Sequence, residues 1–324
     1  MLADRIQFVY TNGVFSKGRL VLFGVPQGSR VGPLIFDIYV NDVPVTIDNE
    51  ETDGTVYADD IGAKVRCTTL NGIRTIFNDC TFLLEDWCAA NNLSLNKDKM
   101  CDIFFSYDRN GGWEGKGDPL KFLGIYLDSN LSWTSHVEYV TKKLSRGLYL
   151  LRRLRSCVDT NVLLSVYYAQ IQSILCYGVM IWGYNTHYRK ILLLQKRAVR
   201  LICNVPYRTH CKPLFRKLRI LTFPSLYLLF SLCYTHNNKH LFMNNTMHHD
   251  HDTRNKNKLI IPQCRYSSSQ KSYSYMAVKL YNALPSKLKM YPLLHFKSKI
   301  KEMLIEECLY NVNDFFSVDW SNYL

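Results

Sequence analysis

An α+β region of short antiparallel strands with helices, followed by an α-helical region and a basic C-terminal extension, is the architecture this 324-residue sequence predicts. Three observations carry it. Up to residue 128 short extended runs alternate with turn-forming Gly, Asn and Asp. From Ser132 onwards apolar residues recur at helical spacing, and the charge balance reverses along the chain. Residues 1–110 hold 10 Lys and Arg against 15 Asp and Glu, a net −5, whereas residues 111–324 hold 30 against 12, a net +18. The expected divisions are 1–128, 129–235 and 236–324.

Gln7 to Val25 reads as a strand, a turn at Asn12-Gly13 and a second strand over Arg19 to Phe23. The loop Gly24 to Ser29 then feeds a short helix over Leu34 to Val40, with Pro33 in its first turn, where a missing N–H costs nothing. Thr55 to Val65 has the composition of a tight hairpin around Ala58-Asp59-Asp60. Leu70, Ile73, Phe77, Cys80, Leu84 and Trp87 follow the period of an amphipathic helix, which Asn91-Asn92 would end. Leu93 to Asn96, Cys101 to Phe105 and Phe122 to Leu127 read as extended, with a Gly-rich turn over Asn110 to Gly117. Beyond them Ser135 and Glu138 suggest a capping box before the stripe Val137, Val140, Leu144, Leu148, Leu151 and Leu154. Asn161 to Trp182 reads as a central helix, apolar almost all round, and Tyr188 to Cys203 as a basic one. From about Thr235 to Lys258 the chain is polar and His-rich, the composition of a linker. A folded tail over Tyr273 to Leu309 contains Tyr281-Asn282-Ala283-Leu284-Pro285.

Composition excludes several classes. Hydrophobic residues make up 47% of the chain and aromatics 13%, too apolar for disorder. The 11 irregularly spaced cysteines form no disulfide framework and read as reduced thiols of an intracellular protein. Met1-Leu2-Ala3-Asp4-Arg5 has no secretory-signal pattern. Gln170, Gln172 and Ser173 interrupt the most apolar run, Val162 to Trp182, so a buried helix is expected there and no membrane partner.

Tyr57-Ala58-Asp59-Asp60 is the sharpest chemical feature. Adjacent carboxylates in a tight turn repel, so such a pair is either solvated or bound to a cation, and a divalent metal resolves the conflict. Gly24-Val25-Pro26-Gln27-Gly28-Ser29 lets backbone approach a flat substrate, although a plain Gly-Pro turn would look the same. Cys233, His236 and His240 have ligand-like spacing, with His248, His249 and His251 nearby, but no firm fourth ligand for zinc. The basic positions Lys142, Lys143, Arg146, Arg152, Arg153, Arg155, Lys196, Arg197 and Arg200 suit a polyanion or a solvated surface.

In their order and spacing these segments resemble the reverse transcriptases of non-LTR retrotransposons. Gly24 to Ser29 with Gly32-Pro33-Leu34-Ile35-Phe36 and Tyr39-Val40-Asn41-Asp42 is similar to motif B, and Tyr57 to Asp60 to motif C. Trp87, Asn91 to Asn96 and Lys99 are similar to motif D, and Phe122-Leu123-Gly124-Ile125-Tyr126-Leu127-Asp128 to the primer grip. Leu194 to Ile202, Pro206 to His210, Trp133 and the Tyr281 to Pro285 segment extend the likeness to nearly the whole chain. The resemblance implies a partial palm, motifs B to E, followed by a helical thumb and a basic extension. The implied activity is RNA-directed DNA polymerisation in retrotransposition, with an RNA template, a DNA primer and deoxynucleotides as partners, in the nucleus.

On this resemblance Asp59 is a ligand of two catalytic Mg²⁺ ions and Asp60 its weaker partner. Gly24, Pro26, Gln27, Gly28 and Ser29 face template and nucleotide, and Phe122, Leu123 and Gly124 hold the primer end. Lys99 matches the lysine proposed to protonate pyrophosphate, and the nine basic residues grip the phosphates of the duplex. Two departures qualify it. The family's motif A aspartate lies upstream of the Leu2 to Phe8 segment and has no match here, so residues 1–324 alone are expected to lack an intact two-metal site and to be inactive. Arg30 and Asp37 stand where the family is apolar, Asp37 within a run that reads as buried. The alternative is a non-catalytic nucleic-acid-binding remnant.

Overall fold

A computed structural model of the chain describes residues 5–21, 24, 28–105, 117–243 and 258–323. It is a mixture of helices and short antiparallel strands, divided into two compact units, Met1–Cys101 and Asp102–Leu324. Composition suggests divisions at 128 and 235. The contacts divide the chain after 101, because the Leu120–Leu127 hairpin packs on the first long helix of the second unit and the last helices share that unit's core.

In the first unit, β1 (Arg5–Gln7) pairs antiparallel with β4 (Arg19–Val21), enclosing an inner hairpin of β2 (Tyr10–Thr11) and β3 (Val14–Phe15). Asn12 and Gly13 close that hairpin with φ of +48° and +81°, the sign a two-residue hairpin turn demands. Helix α1 (Gly32–Tyr39) carries Pro33 in its first turn, and a short α2 (Val43–Ile47) follows that sequence spacing does not announce. Strands β5 (Thr52–Tyr57) and β6 (Asp60–Val65) pair in register from Thr52↔Val65 to Tyr57↔Asp60. Helix α3 (Leu70–Ala90) starts at Thr69, whose hydroxyl accepts from the Gly72 N–H, and ends at Asn91.

The core of this unit joins Val40, Val43 and Ile47 to Cys80, Leu84, Trp87 and Cys88. Leu70 and Phe77 are exposed, so only the C-terminal half of the α3 stripe is buried. Among the described residues Leu93 to Asn96 forms no strand, and Cys101 to Phe105 has only an isolated β-bridge at Phe104. Leu93 and Leu95 instead pack on the small core, and a 3₁₀ turn over Lys97–Lys99 intervenes. Asp37 is exposed, as are Leu34 and Ile38 beside it, so it bears no burial cost and the expected buried charge is not found.

The second unit opens with a hairpin of β7 (Leu120–Phe122) and β8 (Ile125–Leu127), where one strand was expected. Helix α4 (Thr134–Leu154) buries Val137, Val140, Leu144, Leu148 and Leu151. Ser135 and Glu138 do not form the expected capping box. The buried Asp128 carboxylate accepts from the Ser132 hydroxyl at 2.9 Å and the Ser135 N–H at 3.4 Å, so an acid outside the helix satisfies its N-terminus.

The apolar run is not one helix but α5 (Thr160–Tyr167), a π-helical turn (Tyr168–Gln172), α6 (Ser173–Cys176) and, after a break at Tyr177-Gly178, α7 (Val179–Trp182). Leu163, Tyr167, Ile171, Leu175, Val179 and Trp182 are buried, but Tyr168, Tyr177 and Ile181 are exposed. Helix α8 (Tyr188–Ile202) packs against α4 and α5, so these three helices form a bundle. Helices α9 (Lys212–Leu218) and α10 (Phe223–Asn237) follow. Helices α11 (Ser267–Gln270), α12 (Tyr273–Asn282), α13 (Ser286–Lys289) and α14 (Leu293–Glu307) complete the unit, with α12 and α14 against α10.

The expected linker therefore begins later than Thr235. His236 is buried, its ring stacked on Phe296 and hydrogen-bonded to the Tyr281 hydroxyl at 3.1 Å and the Tyr291 carbonyl at 2.9 Å. Residues 244–257, and most of the Asn110 to Gly117 turn, lie outside the described residues. Among the described residues no single helix is long and apolar enough to cross a membrane.

Candidate metal and nucleic-acid sites

Asp59 and Asp60 sit at the tip of the β5–β6 hairpin, both exposed. Ala58, with φ of +52°, and Asp59 make the two-residue turn, and Asp60 is the first residue of β6. Asp53, further along the same hairpin, is different. Lys64 lies 2.9 Å and Arg66 3.1 Å from it, and the Lys64 hydrogen bond leads the causes that hold its carboxyl below the usual range. Among the described residues neither Asp59 nor Asp60 has an ion pair, so the two tip carboxylates stand side by side uncompensated. Two oxygen donors suit a hard cation such as Mg²⁺, which takes its remaining ligands from water and phosphate. No cluster of three or more metal-ligating side chains is found among the described residues.

In the preceding loop Gly24, Gly28 and Ser29 are described, whereas Pro26 and Gln27 lie outside the described residues. Gly24 and Gly28 have positive φ and open space beside them, and the Ser29 hydroxyl accepts from the Gly32 N–H at 2.9 Å, anchoring the loop to the start of α1. Lys99 is exposed at the end of a 3₁₀ turn. No hydrogen bond or ion pair among the described residues joins it, or the loop, to Asp59 or Asp60.

Leu123 and Gly124 form the β7–β8 turn with φ of +45° and +79°. Gly124 takes such a φ at no cost, but a leucine there is strained by roughly 1–2 kcal/mol. The Tyr177 hydroxyl donates to the Leu123 carbonyl at 2.5 Å, and the Tyr177 ring lies where a Cβ on Gly124 would touch it. Tyr177 thus braces this turn, a contact that sequence reasoning missed. The Tyr177-Gly178 pair inside an apolar run was the available signal.

The basic residues separate into two groups. On α4, Lys142, Arg146 and Arg153 are exposed and fall on one helical face with the exposed Tyr149, at i, i+4, i+7 and i+11. Lys143 lies beside this face with its ammonium 4.5 Å from the Tyr139 ring, Arg152 is on the flank, and Arg155 lies just past the helix end. Lys196 and Arg200 are half-buried and occupied internally. The Lys196 ammonium sits 3.7 Å over the Tyr310 ring, with its pKa lowered chiefly by burial, and Arg200 donates from Nε to the Thr209 carbonyl at 2.9 Å. Arg197 is exposed. Cys233, His236 and His240 do not assemble as ligands, because both His236 nitrogens face protein partners. His248, His249 and His251 lie outside the described residues.

Residues 3–127 match the family model described as reverse transcriptase (RNA-dependent DNA polymerase). That stretch contains the loop, the tip carboxylates and the β7–β8 hairpin in one match. It is a reverse transcriptase region of the LINE type. The likeness extends past the matched region. The chain is 28% identical over 241 residues to a "Probable RNA-directed DNA polymerase from transposon BS" of Drosophila melanogaster, covering 68% of this chain and 27% of that protein. It is 23% identical over 239 residues to the "RNA-directed DNA polymerase from mobile element jockey" of the same fly, covering 68% and 26%. It is 25% identical over 255 residues to a "Probable RNA-directed DNA polymerase from transposon X-element", covering 74% and 26%. This chain spans about a quarter of the length of those relatives. No solved structure matches it.

Proposed function

We propose that this chain is part of an RNA-directed DNA polymerase of a non-LTR retrotransposon, with residues 1–101 and the β7–β8 hairpin as palm and the helices from α4 as thumb. One observation carries the reading. Within the matched region two uncompensated carboxylates project from the tip of a tight hairpin. Asp59 and Asp60 would hold Mg²⁺, which when bound stabilises the attacking and leaving oxygens of nucleotidyl transfer. Gly24 to Ser29 would lie along the template and nucleotide. The Leu123-Gly124 turn orients the primer end, and Lys99 Nζ can supply a proton to departing pyrophosphate. The α4 face binds backbone phosphates without reading bases.

A chimera tests this. The segment of the jockey polymerase that aligns with this chain is replaced by residues 1–324, and primer extension is measured on an RNA template with Mg²⁺. The chimera is expected to extend the primer and Asp59→Asn to abolish extension. A near-normal rate in the Asp59→Asn chimera would show that the metal site is misplaced. The exposed basic face of α4 supports a second reading, in which the chain binds nucleic acid without catalysis. A folded but inactive chimera that still binds template and primer would favour it.

A further inference from the structure

Tyr281-Asn282-Ala283-Leu284-Pro285 has no task in the polymerase reading. Tyr281 and Asn282 close α12, and three lysines gather around them. The Asn282 side-chain amide takes both backbone groups of the buried Leu259. Oδ1 accepts from the Leu259 N–H at 3.0 Å, and Nδ2 donates to the Leu259 carbonyl at 2.8 Å. That clamp sets the adjacent Lys258 beside the end of α12. The ammonium groups of Lys239 and Lys289 lie 5.7 and 5.2 Å from the centroid of the Tyr281 ring. Each is tied by a carbonyl, Lys239 Nζ donating to Lys289 O at 3.1 Å and Lys289 Nζ to Asn282 O at 3.4 Å.

The Lys239 and Lys289 charges are held in place, and among the described residues no acid answers the three lysines. Among the described residues none of the three lysines has an ion pair. Burial first, then Lys258 and Lys239, hold the Lys289 pKa down to about 8, and burial lowers that of Lys239 as well. Lys239 and Lys258 are exposed and Lys289 is half-buried; like charges gathered on one surface repel, and an anion bound among them relieves that repulsion. Each ammonium has three N–H donors, and the carbonyl bonds use one each on Lys239 and Lys289. The rest can reach the oxygens of a tetrahedral oxyanion.

We propose that Lys239, Lys258 and Lys289, arrayed on Tyr281 and Asn282, form a phosphate-binding site distinct from the α4 face. The phosphate belongs to a nucleic-acid backbone or to a free inorganic phosphate or pyrophosphate, and the experiment separates these sources. The site stands on its own geometry, whatever the fate of the polymerase reading.

The full chain and its Lys239→Gln/Lys289→Gln variant are titrated with a fluorescently labelled RNA–DNA hairpin between 50 and 200 mM salt. If the hairpin supplies the phosphate, the variant binds about tenfold more weakly, and its log–log salt slope flattens by about one to two, at roughly 0.9 per phosphate neutralised. In parallel, lysine acetylation of the unmutated protein is mapped by mass spectrometry with no ligand, with hairpin and with millimolar pyrophosphate. This arm needs no variant to fold. Protection of Lys239 and Lys289 by hairpin identifies a backbone phosphate. Protection by pyrophosphate alone, with the salt slope unchanged, identifies a free one. Equal acetylation in all three samples together with an unchanged slope overturns the site. Variants of the α4 face, measured beside these, report on the thumb reading separately.

Discussion

Replacing Gln195 by Leu should destabilise the second unit severely, although the two side chains have similar volumes. Gln195 is fully buried, and its amide holds together three helical segments. Nε2 donates to the Tyr167 hydroxyl and to the Leu221 carbonyl, both at 2.8 Å, and Oε1 accepts from the Phe223 N–H at 2.8 Å. The Phe223 N–H belongs to the first turn of α10, where no carbonyl within the helix can serve it. Leucine removes all three bonds and leaves their partners buried. Each such group costs about 1–3 kcal/mol, and easier burial of Leu offsets part of the sum, leaving about 3–5 kcal/mol. For a unit of this size each kcal/mol lowers Tm by roughly 2–4 °C, so circular dichroism should show a fall of about 6–20 °C. Adding Tyr167→Phe to Gln195→Leu should lower Tm less than Tyr167→Phe does alone, because their shared bond is already gone. A Gln195→Leu shift within about 3 °C would refute this account of the core.

Gly178→Ala should cost about 1–2 kcal/mol in urea denaturation, since its φ of +59° strains any L side chain and the new Cβ would press on Ile125 Cδ1; an unchanged midpoint would contradict the observed helix break. Burial, opposed by the charge of Asp128, holds the His136 pKa down to about 4 from an unfolded value of 6.5. Because the unfolded chain takes up a proton first, stability should be lost as pH falls from 6.5 towards 4, and His136→Phe should flatten that segment of the pH–stability curve. Replacing Lys142, Lys143, Arg146, Arg152 and Arg153 together by Gln should leave the melting curve unchanged and flatten the salt dependence of hairpin binding. An unaltered slope would mean that these charges only solvate the helix.

Features that depend on near neighbours were legible in the sequence. The Asp59-Asp60 hairpin, Pro33 in the first turn of α1, the Asn91-Asn92 stop and the α4 stripe each follow from a few adjacent residues or one period. Misreadings came where distant residues decide. Asp128 displaced the expected capping box because a carboxylate six residues before the helix reaches its N-terminus. Leu93 and Leu95 alternate as a strand would, yet they serve the packing of α3. Lys196 and Arg200 look like Arg197 in sequence, but Tyr310 and Thr209, far along the chain or across a turn, draw them inward. Asp37 was expected to be buried from the apolarity of its neighbours, and those neighbours are themselves exposed.

The break in the apolar run and the strained hairpin turn account for each other. A continuous helix from Thr160 to Trp182 would have no reason to present a hydroxyl at position 177 to the β7–β8 turn. With Gly178 in the left-handed region, the chain bends there, Tyr177 reaches the Leu123 carbonyl, and Ile125 packs into the space that a Cβ on residue 178 would fill. The strain at Leu123 is thereby held by contacts more than fifty residues away. On the other side of the hairpin, the Tyr126 N–H donates to His136 Nδ1 at 3.3 Å on α4, and the Tyr126 and Tyr139 rings lie 5.0 Å apart. The turn proposed to hold a primer end and the helix proposed to grip phosphates therefore belong to one packed body.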